Sequence, residues 1–397
     1  MKYLFHGLAL ALCFVLQACG GGGGGGGSGA TGNGSLVSDG QSTSYGYKAV
    51  VSQFTPQVQA SALSGLAVSD MDMDTRNAVT FGDFFQQGPG NLAAFVMVNQ
   101  AGGLAQPRFF RMESGQWTDR TALVLDAGIS GCATASWAIT ADFNNDLRPD
   151  VFVGCKGSGG EQQWFFLSNA TTGKFQKIPL VKTSNEAYSI QVNQAAAADI
   201  NADGVMDLVL VHPNSEPMIL LGSIPVSSAS PQFTRDDSRL TGSLPKNIHG
   251  VQLIPSNDSN VRLEMILMGA SSNGKPVWRI TGSPDTTVGA KKPGTFFYFG
   301  VASLAKAFPI TGEVTDVLRL GDYYYLNIAA SNLMSLAKVS SDLSQDWPLQ
   351  TFETTDGVSA QLVAVASGIV VYDGDCVKQS MAASAASKSR CRALFNK

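Results

Sequence analysis

The amino-acid sequence predicts an all-β protein built from repeated four-stranded units. Three observations support this fold class: a weakly charged composition, an acidic loop that recurs along the chain, and an aromatic residue that recurs out of phase with it. Hydrophobic residues make up 44% of the 397 residues, charged residues only 15%, and glycine is frequent with 43 copies. This composition, without long charged amphipathic runs, is typical of a globular β protein.

The acidic loop is clearest between residues 199 and 207, just before an apolar Leu-Val-Leu-Val run. Oxygen-bearing side chains stand at loop positions 1, 3, 5 and 9: Asp199, Asn201, Asp203 and Asp207. Gly204 at position 6 permits the positive φ that turns the loop back on itself. Ca²⁺ binds six to eight oxygens at about 2.3–2.6 Å, and alternate short acidic side chains on a curled loop supply them. A polar β-turn is the alternative interpretation, because Asp, Asn and Gly also favour turns.

The same pattern occurs 57 residues earlier, with Leu147 in place of the glycine, so we expect this loop to be strained or to bind its ion more weakly. Its oxygen-bearing residues are Asp142, Asn144, Asp146 and Asp150. Weaker relatives near Asp83 and Asn257 keep the strand pattern but lack most of the oxygens. An aromatic residue also recurs at the start of the return strand of each predicted hairpin. Its copies, Trp117, Phe175, Phe233 and Phe296, are 58, 58 and 63 residues apart.

A four-stranded unit repeated at a fixed period predicts a β-propeller of stacked blades over residues 45–376. Its length favours six blades, and seven stays open because the stretch Leu63–Met73 is hard to place. The N-terminal segment near Phe54 and the strands of Gln361–Tyr372 each look like part of a blade. We therefore expect the N- and C-terminal strands to pair and close the ring.

The N-terminus predicts export and a lipid anchor. Residues 1–18 combine a basic start with a short apolar run, as in a signal peptide, and Leu16-Gln-Ala-Cys19 resembles the bacterial lipoprotein lipobox. This resemblance implies a lipidated Cys19 and an outer-membrane protein of the bacterial cell envelope, facing the periplasm or the surface; an ordinary signal peptide cut nearby is the alternative. Residues 19–44 then form a Gly/Ser-rich flexible tether, and residues 377–397 a C-terminal tail with a short helix over Met381–Arg392.

Four cysteines remain in the exported body, an even number that suits two disulfides in an oxidising compartment. Proximity in sequence pairs Cys132 with Cys155 and Cys376 with Cys391, although three connectivities are possible. The chain contains no CxxC pair that would indicate zinc or redox chemistry.

The acidic loops followed by apolar strands resemble the FG-GAP/VCBS repeat family, found in integrin α-subunit propellers and bacterial secreted proteins. The resemblance implies that one or two structural Ca²⁺ ions bind the oxygens named above, with the backbone carbonyls of Val205 and Arg148 at position 7. The segment Asp70-Met-Asp72-Met-Asp74 is a weaker third candidate, because Ala78 stands at its position 9.

No catalytic motif accompanies these loops, so we expect a non-enzyme. His212 and His249 stand at predicted strand ends, and a net charge of −4 without basic clusters argues against a nucleic-acid partner. We expect a monomeric, calcium-binding adhesion or binding module for a protein or glycan, with Tyr323–Tyr325 and Phe296–Tyr298 as candidate contacts or core aromatics. A periplasmic assembly scaffold is the alternative, and a glycan hydrolase on a propeller is a more distant one.

Overall fold

The computed structural model describes one continuous series of β-sheets, all within the compact unit 33–397. The described residues are 78–86, 93–98, 100, 102–114, 116–129, 131–156, 163–201, 203–213, 215–226, 230–242, 244, 246, 248–255, 263–269, 277–282, 296–297, 313–320, 323–330, 333–340, 346–353, 361–365, 368–372 and 393–395. The signal peptide, Cys19, the tether, Phe54, the segment 63–74, Cys376, Cys391 and the predicted tail helix lie outside them.

The first three sheets each contain four antiparallel strands in sequence order. Sheet 1 comprises β1 (Ala78–Gly82), β2 (Ala93–Val98), β3 (Gln106–Glu113) and β4 (Gln116–Asp119). Sheet 2 comprises β5 (Thr134–Ala141), β6 (Asp150–Lys156), β7 (Trp164–Ser168) and β8 (Phe175–Pro179). Sheet 3 comprises β9 (Gln194–Ala198), β10 (Asp207–Val211), β11 (Met218–Ser223) and β12 (Gln232–Arg235). A one-turn helix, α1 (Thr121–Val124), follows sheet 1.

Three further sheets follow in the described part of the chain. Sheet 4 holds β13 (Leu240–Thr241), β14 (Ile248–Pro255), β15 (Leu263–Gly269), β16 (Val277–Gly282) and β17 (Phe296–Phe297). Sheet 5 holds β18 (Glu313–Leu320), β19 (Tyr323–Ala330), β20 (Leu333–Ser340) and β21 (Asp346–Glu353). Sheet 6 holds β22 (Gln361–Val365), β23 (Gly368–Tyr372) and β24 (Ala393–Phe395).

These strands confirm the predicted all-β class and the repeated unit of strand, acidic loop, buried strand and hairpin. The recurring aromatics Trp117, Phe175, Phe233 and Phe296 each lie at or near the start of a fourth antiparallel strand. The second strand of a sheet is buried along its whole length in β2, β10 and β15. Burial on both faces explains why these strands read as continuous apolar runs rather than as alternating ones.

Successive sheets pack against each other through one edge strand of each sheet. β1 contacts β5, β5 contacts β9, and β9 contacts β14, the edge strand of sheet 4 that pairs with β15. Polar side chains join equivalent positions about one repeat apart. The bonded pairs are Thr80 Oγ1 with Thr140 Oγ1 (2.7 Å), Trp137 Nε1 with the Val192 carbonyl (3.2 Å) and Asn193 Nδ2 with the Ile248 carbonyl (2.9 Å). Apolar clusters fill the space between neighbouring sheets, with phenylalanines such as Phe95, Phe166, Phe152 and Phe165 fully buried.

Three features of this architecture differ from, or extend, the sequence prediction. Sheet 4 gains a fifth strand, because β13 runs parallel to β17. In sheet 6 the third strand is β24, from the segment assigned to a tail outside the propeller. The candidate aromatics Tyr323–Tyr325 and Phe296–Phe297 lie on strands β19 and β17, and Tyr298 lies outside the described residues.

Ring closure and the number of blades stay predictions, since the proposed N-terminal strand falls outside the described residues. Within the part of the chain that the structure describes, no helix is long and apolar enough to cross a bilayer.

Candidate metal-binding loops

The two acidic loops occupy the same place in successive sheets. Residues 142–149 connect β5 to β6 and residues 199–206 connect β9 to β10. The last aspartate of each pattern is the first residue of the second strand, where Asp150 pairs with Ala141 and Asp207 with Ala198. The repeat predicted from sequence is therefore also a repeat in space.

Side-chain oxygens fold the first loop by accepting backbone N–H groups. The Asp142 carboxylate accepts from Asp146 N (3.1 Å) and Leu147 N (2.9 Å), and Asn144 Oδ1 also accepts from Asp146 N (3.1 Å). Asp146 Oδ1 accepts from Arg148 N at 3.0 Å. Since one N–H reaches both Asp142 and Asn144, the oxygens at positions 1 and 3 lie beside each other.

The second loop repeats these bonds position by position. Asp199 accepts from Asp203 N (3.1 Å) and Gly204 N (3.0 Å), and Asn201 Oδ1 also accepts from Asp203 N (3.1 Å). Val205 N donates to Asp203 Oδ1 at 2.8 Å. One bond is particular to this loop, in which Asn201 Nδ2 donates to Asp203 Oδ2 at 2.8 Å.

The aspartates at position 9 are fully buried and join each loop to the third strand of its sheet. Asp150 accepts from Phe143 N (2.8 Å) and from Ser168 N in β7 (2.6 Å). Asp207 accepts likewise from Ile200 N (2.7 Å) and from Gly222 N in β11 (2.8 Å).

Sequence reasoning missed these third-strand donors and the Ser168 hydroxyl, which donates to Asp146. Serine and glycine carry no pattern that marks them as partners of an acidic loop. Only the register of the third strand, which follows from the repeat, could have located them.

Burial makes these carboxylates costly to ionise. Desolvation raises the pKa of Asp142 to about 6 and that of Asp207 to about 7, although backbone hydrogen bonds partly offset it. Desolvation also raises the pKa of Asp150 well above its usual value, and the neighbouring charges of Asp142 and Asp146 add to the effect. The negative charges of Asp203 and Asp199 likewise raise the pKa of Asp207. Each loop therefore holds buried carboxyl groups whose ionisation is unfavourable and whose negative charges, once formed, repel one another.

The backbone of both loops enters the left-handed region at position 6. Gly204 has φ +85° and Leu147 has φ +64°. Asn145, at position 4, has φ +59°. The sequence predicts that leucine at this position strains the loop. The observed positive φ of Leu147 agrees, because a residue with a Cβ is strained in this backbone conformation.

The donor set fits a hard divalent cation in chemistry, with three carboxylates and one amide oxygen in each loop. Among the described residues, no group of three or more His, Cys, Asp or Glu side chains is arranged to hold a metal ion. The loop carboxylates accept backbone N–H groups, and each carboxylate has further lone pairs with which it could bind a cation. Calcium thus stays a prediction at both loops.

The remaining predicted site residues lie away from the loops or form other contacts. Cys132 and Cys155 form a disulfide that closes a 23-residue separation. The Cys132 carbonyl accepts from Ala105 N (2.7 Å), which ties this region to sheet 1. His212 Nε2 is buried without a hydrogen-bond partner among the described residues, and burial, reinforced by Arg235, lowers the pKa of this imidazole.

A groove of about 680 Å³ lies outside the loops, between β3, β4, α1 and the β7–β8 hairpin. Its charged lining residues form ion pairs, Arg108 with Asp119 (3.6 Å) and Lys174 with Asp126, while Arg120 pairs with Glu113 (2.6 Å). Leu123, 59% exposed, adds an apolar edge. The groove thus offers a mixed polar and apolar surface without an excess of either charge at these pairs.

Comparison with known proteins finds one family model that matches the part of the chain containing both loops. Residues 142–210 match the family model described as an FG-GAP-like repeat. The match runs from the first aspartate of the first loop into β10, so it includes both loops. It confirms the repeat expected from the sequence. No curated protein matches the chain.

Several solved structures are similar to this chain at low identity. A 6-phosphogluconolactonase from Bacteroides uniformis is 10% identical, with 77% of this chain and 79% of that chain covered and a TM-score of 0.43. The nidogen–laminin complex is 12% identical over 67% and 77%, with a TM-score of 0.35. The Dos1 propeller is 12% identical over 72% and 63%, with a TM-score of 0.33.

Proposed function

We propose that this chain is a calcium-stabilised, non-catalytic binding module on a β-propeller. The observation that supports it best is the pair of matching acidic loops, in which the buried position-9 aspartates, Asp150 of sheet 2 and Asp207 of sheet 3, both have raised pKa values. A divalent cation relieves this cost of ionisation, because it compensates the negative charge that burial makes unfavourable. The FG-GAP-like match over 142–210 supports the same proposal.

Calcium would act in these loops as a structural ion. The first loop would hold it through Asp142, Asn144, Asp146 and Asp150, with the Arg148 carbonyl, and the second through the equivalent residues and Val205. An ion enclosed by protein oxygens leaves no open position for activating water, in contrast to a catalytic zinc. Its contribution is to fix the turn that joins the first two strands of each sheet.

Binding would then fall to the surfaces around this fixed frame. A monomer attached to the outer membrane through lipid on Cys19, and held off the membrane by the 19–44 tether, presents its loops and its grooves to a protein or glycan. The groove beside Arg108 and Lys174 is one described surface that could receive such a ligand, since its lining combines apolar side chains with ion-paired charged ones. Labelling of cells with a palmitate analogue tests the anchor, since C19A should lose the label.

Thermal unfolding of the full-length chain in detergent, with excess Ca²⁺ and with EDTA, tests the metal proposal. At free calcium 100-fold above Kd, each site adds about 2.7 kcal/mol to the free energy of unfolding. The double variant D199A/D203A should lose the part of the shift that the second loop supplies. D237A, an exposed aspartate outside the loops, is the matched control and should keep the full shift. An identical midpoint with Ca²⁺ and EDTA would reject the proposal.

A further inference from the structure

The two acidic loops contact each other directly. Asn145, at position 4 of the first loop, donates from Nδ2 to the carbonyl of Gly204, at position 6 of the second, over 3.0 Å. The two residues are 59 positions apart in sequence and belong to different sheets. The bond therefore joins the two candidate sites across a sheet boundary.

Each end of this bond is held by the ion-binding pattern of its own loop. Gly204 N donates to Asp199, and the next N–H, that of Val205, donates to Asp203. Asn145 lies between Asn144 and Asp146, and its φ of +59° sets the direction of both neighbours. A change in the orientation of either loop must therefore move the bond or break it.

We propose that Asn145 couples the two loops, so that a divalent cation in one raises the affinity of the other. The inference rests on the calcium function proposed above. Ordering one loop around its ion fixes Asn145 or Gly204, and the bond transmits that order to the second loop before its ion arrives. The second ion then meets a loop that has already lost part of its conformational freedom.

Charge works in the opposite direction. A first Ca²⁺ reduces the negative potential that attracts the second, and this repulsive term does not depend on the asparagine. Both Asn145 and Gly204 are exposed, so solvent and salt screen the repulsion. Removing the amide should therefore separate the two effects.

Calorimetric titration of the full-length chain with Ca²⁺ measures the coupling. D203A leaves the first loop to bind alone and D146A leaves the second, so these variants give the two single-site association constants. Both carboxylates are partly or fully exposed, which favours folded variants. The product of the two stepwise constants of the wild-type chain, divided by the product of the single-site constants, is the coupling factor.

The same three titrations are repeated with N145G, which removes the amide and still permits a positive φ. We expect a coupling factor of about 3–10 with Asn145, the range of one modest hydrogen bond, and of about 1 or less with N145G. If D146A does not fold, as judged by circular dichroism, D146N replaces it.

The outcomes distinguish a failure of the coupling from a failure of the proposed calcium binding. A wild-type chain that binds no Ca²⁺ refutes the proposed function, and the coupling falls with it. Two bound ions with the same coupling factor in the presence and absence of the asparagine side chain refute the coupling alone.

Discussion

Replacement of Leu147 tests whether the two loops share a backbone conformation. The φ of Leu147, +64°, lies in the left-handed region, where a residue with a Cβ is strained. Gly204 occupies the equivalent position of the second loop at φ +85°. A left-handed conformation costs a residue with a Cβ about 1–2 kcal/mol. Leu147 is 47% exposed, so its replacement also loses part of a buried side chain. L147A and L147G lose that burial alike, and their difference isolates the backbone.

We expect L147G to be more stable than L147A by about 1 kcal/mol, against the usual order in which alanine is the better residue. The reciprocal change, G204A, should cost about 1 kcal/mol; no atom lies within 4 Å of the added Cβ, so the cost is conformational rather than steric. Calorimetric midpoints should separate L147A from L147G by about 2 °C. If L147A equals or exceeds L147G in stability, the positive φ at this position is refuted.

Three further predictions concern other parts of the structure. G154A should destabilise the chain by about 3 kcal/mol, because the added Cβ would stand 1.9 Å from the Trp137 ring; equal unfolding midpoints would contradict this packing. Reduction of the disulfide between Cys132 and Cys155, which spans 23 residues, should cost about 3 kcal/mol, and an unchanged midpoint in dithiothreitol would count against it. Without metal, Asp207 alone should lower stability by about 2–3 kcal/mol between pH 5 and 7.5, because its folded pKa is raised to about 7: its contribution is complete below about pH 4 and is lost as the pH rises through 7, and the raised pKa of Asp142 adds to the fall. Saturating Ca²⁺ should remove or reverse this slope, since the ion competes with the proton for the same carboxylate, and parallel pH profiles with and without the ion would contradict this.

The sequence sufficed where the signal was local or periodic. Oxygens on alternate residues before an apolar run located both loops, and the substitution of glycine by Leu147 indicated the strained position. The recurring aromatics marked the last strand of the hairpins, and Phe175 and Phe233 are buried near the start of theirs.

Contacts between distant segments could not be predicted in the same way. The parallel pairing of β13 with β17 and the return of Ala393–Phe395 to β23 depend on where the sheets lie, which no local pattern encodes. The bond from Asn145 to Gly204 has the same origin, since an asparagine in a polar loop is indistinguishable in sequence from a solvated turn residue.

Equilibrium dialysis of the full-length chain against radioactive Ca²⁺ tests the central claim most directly. The account predicts two ions per chain, one per chain after D203A, and two after the control D237A. No bound calcium at millimolar free concentration would contradict it, and would show that the two loops are polar turns held by their own hydrogen bonds.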